Sequence, residues 1–133
     1  MQALRVHDFA AGLCLGDLPE PFPGPGEARV QVRASGVSFF DMLMSRGRYQ
    51  WRPPLPFVVG SEFAGTIDAL GAGVHGGLAA GDRVWGSTSI GAWTQQRCLQ
   101  AQALQPVAPQ ASLDEAAVLA QDCRTLGRVL LLP

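Results

Sequence analysis

Arg29-Val30-Gln31-Val32-Arg33-Ala34-Ser35 alternates without a break. Val30, Val32 and Ala34 fall on one face, and Arg29, Gln31 and Arg33 on the other. Successive side chains of a strand point to opposite faces, so a period of two predicts a half-buried β-strand here. Gly36 breaks it. Residues 38–46 then read as a short helix, with Gly47 as its stop. Upstream, residues 3–6 and 13–18 read as a hairpin, and the run Pro19 to Gly26 as a stiff, turn-rich connection.

Downstream, residues 49–56 are aromatic and proline-rich, hence an irregular loop. Residues 57–70 suggest strand structure interrupted by Gly60 and Gly65, since interior glycines often mark bulges or bends. A glycine-rich connection over 71–81 follows. Strands are expected at 82–85, 92–99 and 104–107. Ser112-Leu113-Asp114-Glu115 has the spacing of a capping box, opening a helix to residue 120. Residues 127–133 are apolar and β-prone. The sum is a mainly β fold, a partly open barrel with two or three short helices.

Composition bounds the function. The chain has 133 residues, one domain's worth, with 47% hydrophobic and 16% charged residues, which excludes a disordered chain. A net charge of −1 calls for neither nucleic acid nor an anionic membrane surface. All 10 basic residues are arginines, so lysine Schiff-base and P-loop chemistry are excluded. No apolar run is long enough to span a membrane, and residues 1–8 lack the apolar core of a secretory signal. Cys14, Cys98 and Cys123 are an odd, widely spaced set. They read as reduced, buried or inert thiols of a cytoplasmic protein. With His7 and His75 they offer no metal-ligand spacing. Gly71-Ala72-Gly73-Val74-His75-Gly76 matches G-x-G-x-x-G. The segment after it is too short and broken for the helix that a dinucleotide turn requires, so it reads as a strand connection.

Four stretches together point to a family. They are Pro23 to Ser38, Leu55 to Gly65, Gly81-Asp82-Arg83-Val84 with Gly91-Ala92-Trp93-Thr94, and Ser112 to Ala117. In this order they resemble the GroES-like catalytic domain of medium-chain dehydrogenase/reductases. Within it, residues 1–120 resemble the zinc-free quinone oxidoreductases. Zinc alcohol dehydrogenases place a cysteine where Ser38 stands and a histidine where Ser61 stands, so the resemblance implies no metal. Quinone reductases usually carry asparagine at the Ser38 position, from which this chain departs. The resemblance also implies that Tyr49 faces the active-site cleft.

In the family a Rossmann domain follows the second helix. Here residues 127–133 look like the family's final strand, returning to a single domain over 1–133. Truncation inside the first Rossmann strand is the alternative. On this reading no cofactor is expected. The expected function is a cofactor-independent enzyme that orients a polyketide-like or polycyclic substrate for cyclisation, cycloaddition, rearrangement or isomerisation. Tyr49 and Ser38 are the expected carbonyl donors, and Asp41 or Glu62 the proton acceptor. Trp51, Phe57, Trp93 and Phe39 are the expected walls. Blander roles are helix support for Asp41 and, for Glu62, a structural pair with an arginine such as Arg83. The expected partners are a small hydrophobic substrate and a second copy of the chain, with no nucleic acid and no membrane. Two other functions stay open: an NADPH-dependent quinone or enone reductase fragment served by a separate Rossmann subunit, and a non-catalytic binding or assembly protein.

Overall fold

The computed structural model describes residues 1–119 and 129–131. Its centre is the alternating strand. β3 spans Glu27–Val37 and buries Ala28, Val30, Val32 and Ala34 on one face, as the period of two requires. β5 (Glu62–Leu70) pairs antiparallel along it, from Ala28↔Leu70 to Ser35↔Phe63. On the far side of β5 lie β6 (Arg83–Ser87) and then β8 (Gln105–Pro106). On the far side of β3 lies β7 (Gln96–Gln100), while β9 (Val129–Leu131) pairs with Ser35–Val37 of β3. A smaller sheet holds the hairpin of β1 (Gln2–Val6) and β2 (Leu13–Asp17), with β4 (Phe57–Val58) on the other side of β1. Each sheet is an open path, so the barrel stays open.

The two short helices sit at the ends of the large sheet. α1 (Phe39–Ser45) follows β3 directly. Its last turn closes through Gly47, whose N–H donates to the Met44 carbonyl at 3.1 Å and whose φ is +63°. α2 (Leu113–Leu119) opens on a true capping box. The Ser112 Oγ accepts from the Glu115 N–H at 3.1 Å, and Glu115 Oε2 accepts from the Ser112 N–H at 2.8 Å. Its Ala116 and Ala117 pack on Ala34 and Ala64. The main core gathers Val6, Val30, Phe57, Phe63 and Trp93 between the two sheets. Among the described residues, no helix is long and apolar enough to cross a membrane. Residues 120, 127–128 and 132–133 of the expected helix and final strand lie outside the described residues, as does Cys123.

Of three local expectations, one holds and two change. Gly60 does interrupt the chain, with φ at +100° between β4 and β5. Gly65 does not: it lies inside β5, opposite Val32. The backbones approach so closely there that a Cβ on Gly65 would strike the Gln31 carbonyl oxygen. The register also shifts between Val32 and Ala34, a bulge that leaves Arg33 over. Third, the ladder expected from residue 92 begins only at Gln96. The Ala92 and Trp93 N–H groups donate instead to the Gly60 and Val59 carbonyls, both at 2.9 Å. The Trp93 carbonyl accepts from Leu4 at 2.9 Å, so residues 92–95 tie the two sheets together rather than extend one. The 71–76 glycine run leads into turns, not a helix, as the sequence implies.

Gly65→Ala is expected to cost at least about 2 kcal/mol, because backbone on the partner strand cannot yield. Gly73→Ala, with φ at +73° but nothing within 4 Å, is expected to cost only about 1 kcal/mol. Urea denaturation midpoints of the two variants check the difference.

Candidate functional site

Antiparallel pairing brings the end of β3 beside the start of β5. That pairing sets Gly36, two residues before Ser38, against Glu62, which follows Ser61, although the two segments are over twenty residues apart in sequence.

On the β3 side the chain leaves Gly36 and Val37 and turns into α1 at Ser38. Ser38 is the N-cap. Its backbone N–H and its Oγ–H both donate to Asp41 Oδ2, at 2.8 and 2.7 Å, and its Oγ accepts from the Asp41 N–H at 3.3 Å. The box closes the first turn of a helix only seven residues long, too short to hold itself in water. Asp41 is 1% exposed, and its Oδ1 is enclosed with no hydrogen-bond donor. Asp41 therefore fixes α1 as the blander reading has it, and its carboxylate is closed to direct contact with a ligand.

On the β5 side Gly60 turns the chain in a left-handed conformation that L side chains rarely adopt. The Trp93 ring packs against the open face of Gly60, and its Nε1–H donates to the Gly36 carbonyl at 3.0 Å. Trp93 thus clamps the two strand ends together. Ser61 is buried, and its Oγ has no partner among the described residues. Its carbonyl accepts from the Thr88 N–H at 2.8 Å. Glu62 is buried beside Gly36, where a Cβ would lie 3.0 Å from Glu62 Oε2 and 3.1 Å from the Ala117 carbonyl oxygen. A side chain at that position would crowd the carboxylate. Arg83 lies opposite Thr66, four residues on from Glu62, and its guanidinium donates to the Ala111 carbonyl.

Above these buried groups runs an exposed aromatic segment. Phe39 is 68% exposed, Tyr49 39% and Trp51 46%. Gly47 seats against the Phe9 ring, where a Cβ would come within 2.9 Å. The Tyr49 ring meets Phe40 edge-on, with centroids 4.8 Å apart at 83°. The Tyr49 hydroxyl bonds none of the described residues. So Ser38 and Asp41 hold α1, α1 carries Phe40, and Phe40 fixes Tyr49.

The expected walls divide. Phe39 and Trp51 are exposed, whereas Phe57 and Trp93 are core: Phe57 packs on Phe9 at 6.3 Å, and Trp93 is spent on the strand clamp. Periodicity cannot separate a buried wall from a core ring, and it gave no sign of the Gly36–Glu62 contact. Among the described residues, no three His, Cys, Asp or Glu side chains converge as a metal site. The donors at positions 38 and 61 are hydroxyls, one of them committed to Asp41, a set that does not fit zinc. Cys14 is exposed on β2, so of the expected buried or inert thiols it is not a buried one. Cys98 is partly buried, and burial, with Glu27 adding, pushes its thiol above the ordinary value.

Comparison with known proteins follows this geometry. The profile of the alcohol dehydrogenase GroES-like domain matches residues 24–120. The quinone oxidoreductase-like protein 2 of Mus musculus is 43% identical over 101 residues, covering 76% of this chain and 28% of that protein. The crystal structure of the human synaptic vesicle membrane protein VAT-1 homolog-like protein superposes with a TM-score of 0.82 at 30% identity, over 88% of this chain and 38% of that one. Escherichia coli quinone oxidoreductase complexed with NADPH gives 0.79 at 27% identity, over 88% and 36%. The chain thus spans well under half the length of these relatives.

Ser38→Ala removes the cap and one of the two donors to Asp41 Oδ2. The expected loss is about 1–2 kcal/mol. Urea unfolding measures it, and a loss below a few tenths would mean that the box does not hold α1.

Proposed function

The chain belongs to the alcohol dehydrogenase GroES-like domain family, and on that premise we propose that it forms the carbonyl-binding half of a quinone-oxidoreductase-type cleft. The observation that carries this is Tyr49. Its ring is fixed on Phe40, its hydroxyl has no partner among the described residues, and the rings of Phe39, next to Phe40 in the chain, and Trp51, two residues on, are exposed. A held donor with exposed rings near it in the chain suits a flat, apolar quinone or enone: the rings take the π-face and the phenol donates to the carbonyl oxygen. Ser38 and Asp41 are positioning residues on this reading, since they reach Tyr49 only through α1. The similarity to quinone oxidoreductases supports the substrate class.

The cleft works without zinc on this proposal, because the hydroxyls of Ser38 and Ser61 take the places of metal-binding side chains. A nicotinamide cofactor would supply the hydride for reduction. The described residues carry no glycine turn leading into a helix, so its dinucleotide site is not built from them. What these residues contribute is orientation of the acceptor carbonyl and shielding of one ring face.

A second reading rests on Asp41 Oδ1, a carboxylate oxygen enclosed with no donor. It would suit a cofactor-independent cyclisation, rearrangement or isomerisation that needs a base. Such a reaction requires α1 to shift and open Asp41 to the ligand.

Calorimetric titration with menadione tests the first reading. Saturable binding at one site is expected. Tyr49→Phe should weaken it by about threefold or more through the lost hydrogen bond, and Trp51→Ala by a similar factor through lost ring contact. No saturable binding, or unchanged affinity in both variants, contradicts the reading. NADPH-free turnover of an enone, abolished by Asp41→Asn in a folded protein, selects the second reading instead.

A further inference from the structure

Arg97 is a half-buried cation that the site described above leaves unused. It stands on β7 opposite Val30, whose side chain is fully buried in the core. Its guanidinium folds back under the 88–91 loop. Nη2 donates to Thr88 Oγ1 at 2.9 Å. Nη1 fills the space where a Cβ on Gly91 would stand, and Gly91, with φ at +96°, tolerates this. Nε is enclosed and has no acceptor.

Of the five N–H donors that a guanidinium carries, the protein uses one. Arg97 forms no ion pair among the described residues, where the only pair is Arg29 with Asp68. Burial lowers its pKa from the ordinary arginine value, yet the group remains a cation in water at any ordinary pH. A half-buried charge with neither a counter-ion nor a full set of acceptors is costly for a fold to keep. A methionine or leucine would fill the same room at less cost, so the charge itself is what needs explaining.

Its place gives the explanation. Thr88, which holds Nη2, also donates its backbone N–H to the Ser61 carbonyl at 2.8 Å. The guanidinium is therefore one residue and one backbone hydrogen bond away from the buried Ser61 hydroxyl, which is itself without a partner among the described residues. We propose that Arg97, steadied by Thr88 and Gly91, is the docking point for a single carboxylate group of a ligand on the Ser61 side of the site. One fixed cation balances one monoanion. This goes beyond the carbonyl-binding role of Tyr49 and does not depend on it.

The test uses benzoate and its neutral counterpart benzamide on the full chain. The Arg97 Nε–Hε NMR resonance and the melting temperature are followed together. Benzoate is expected to shift the resonance and raise Tm, and benzamide to do neither. Arg97→Gln should weaken benzoate binding at least about tenfold. In anion-free buffer the same variant should melt at the wild-type temperature or above, because it removes an unbalanced charge. A role as a structural strut predicts the opposite, a lower Tm. An equal response to benzoate and benzamide, or unaltered benzoate affinity in Arg97→Gln, overturns the proposal. If Arg97→Gln does not fold, the proposal is overturned as well, since the residue is then a strut. Thr88→Val, which frees Nη2, is expected to reduce benzoate affinity by about threefold or more, and no reduction counts against the site. Menadione carries no carboxylate, so its binding and that of benzoate fail or succeed separately.

Discussion

The indole of Trp93 holds the site together. Its N–H bonds the Gly36 carbonyl at the end of β3, and its ring lies on Gly60 at the entry to β5. The backbone around it, residues 92–95, joins the small sheet to the large one. Everything that bears chemistry hangs from these two strand ends: Ser38 and Asp41 from one, Ser61 and Glu62 from the other. A buried indole N–H needs an acceptor, and the Gly36 carbonyl near the end of β3 is the one it takes. Two glycines make the arrangement possible. Gly60 admits the ring, and Gly36 leaves space for the Glu62 carboxylate and the end of α2.

The same constraint separates structural from functional polarity. Asp41 has the strongest look of a catalytic acid, a buried carboxylate beside a serine. Its hydrogen bonds nevertheless run to the N-cap of its own helix, and its energy goes into ordering seven residues that could not stay helical alone. Tyr49, more exposed and less obviously placed, is the group with an uncommitted donor. Arg97 is a third kind, a charge retained at a cost with no structural return. Burial alone would have ranked these three in the wrong order. What sorts them is the account of who bonds to whom.

Much of the fold was legible in the sequence where the signal is local. The alternation of Val30, Val32 and Ala34 marks β3, the Ser112–Glu115 spacing marks α2, and Gly47 ends α1, because each depends on residues within one turn or one strand. Legibility failed where the determining partner is distant. Residues 92–95 have strand character, yet their N–H groups are taken by Val59 and Gly60, so the ladder starts later. Gly65 looks like a break but is demanded by the Gln31 carbonyl across the sheet. Phe57 and Trp93 look like pocket walls, and pairing over fifty residues away makes one of them the clamp. Nothing in the letters around Arg97 shows that its guanidinium meets Thr88 and no acid. The family resemblance supplied the positions of Ser38, Ser61 and Tyr49, but not the bonds that assign their roles.

Trp93→Phe tests the account most directly, because it keeps an aromatic ring in the core but deletes the bond to Gly36 together with part of the buried indole. Menadione affinity is measured beside the far-ultraviolet circular dichroism of the same sample. The account predicts a folded protein, less stable by about 1–3 kcal/mol for the unpaired carbonyl, with menadione affinity down by about fivefold or more as the two strand ends separate. A variant with wild-type stability and wild-type menadione affinity would contradict it.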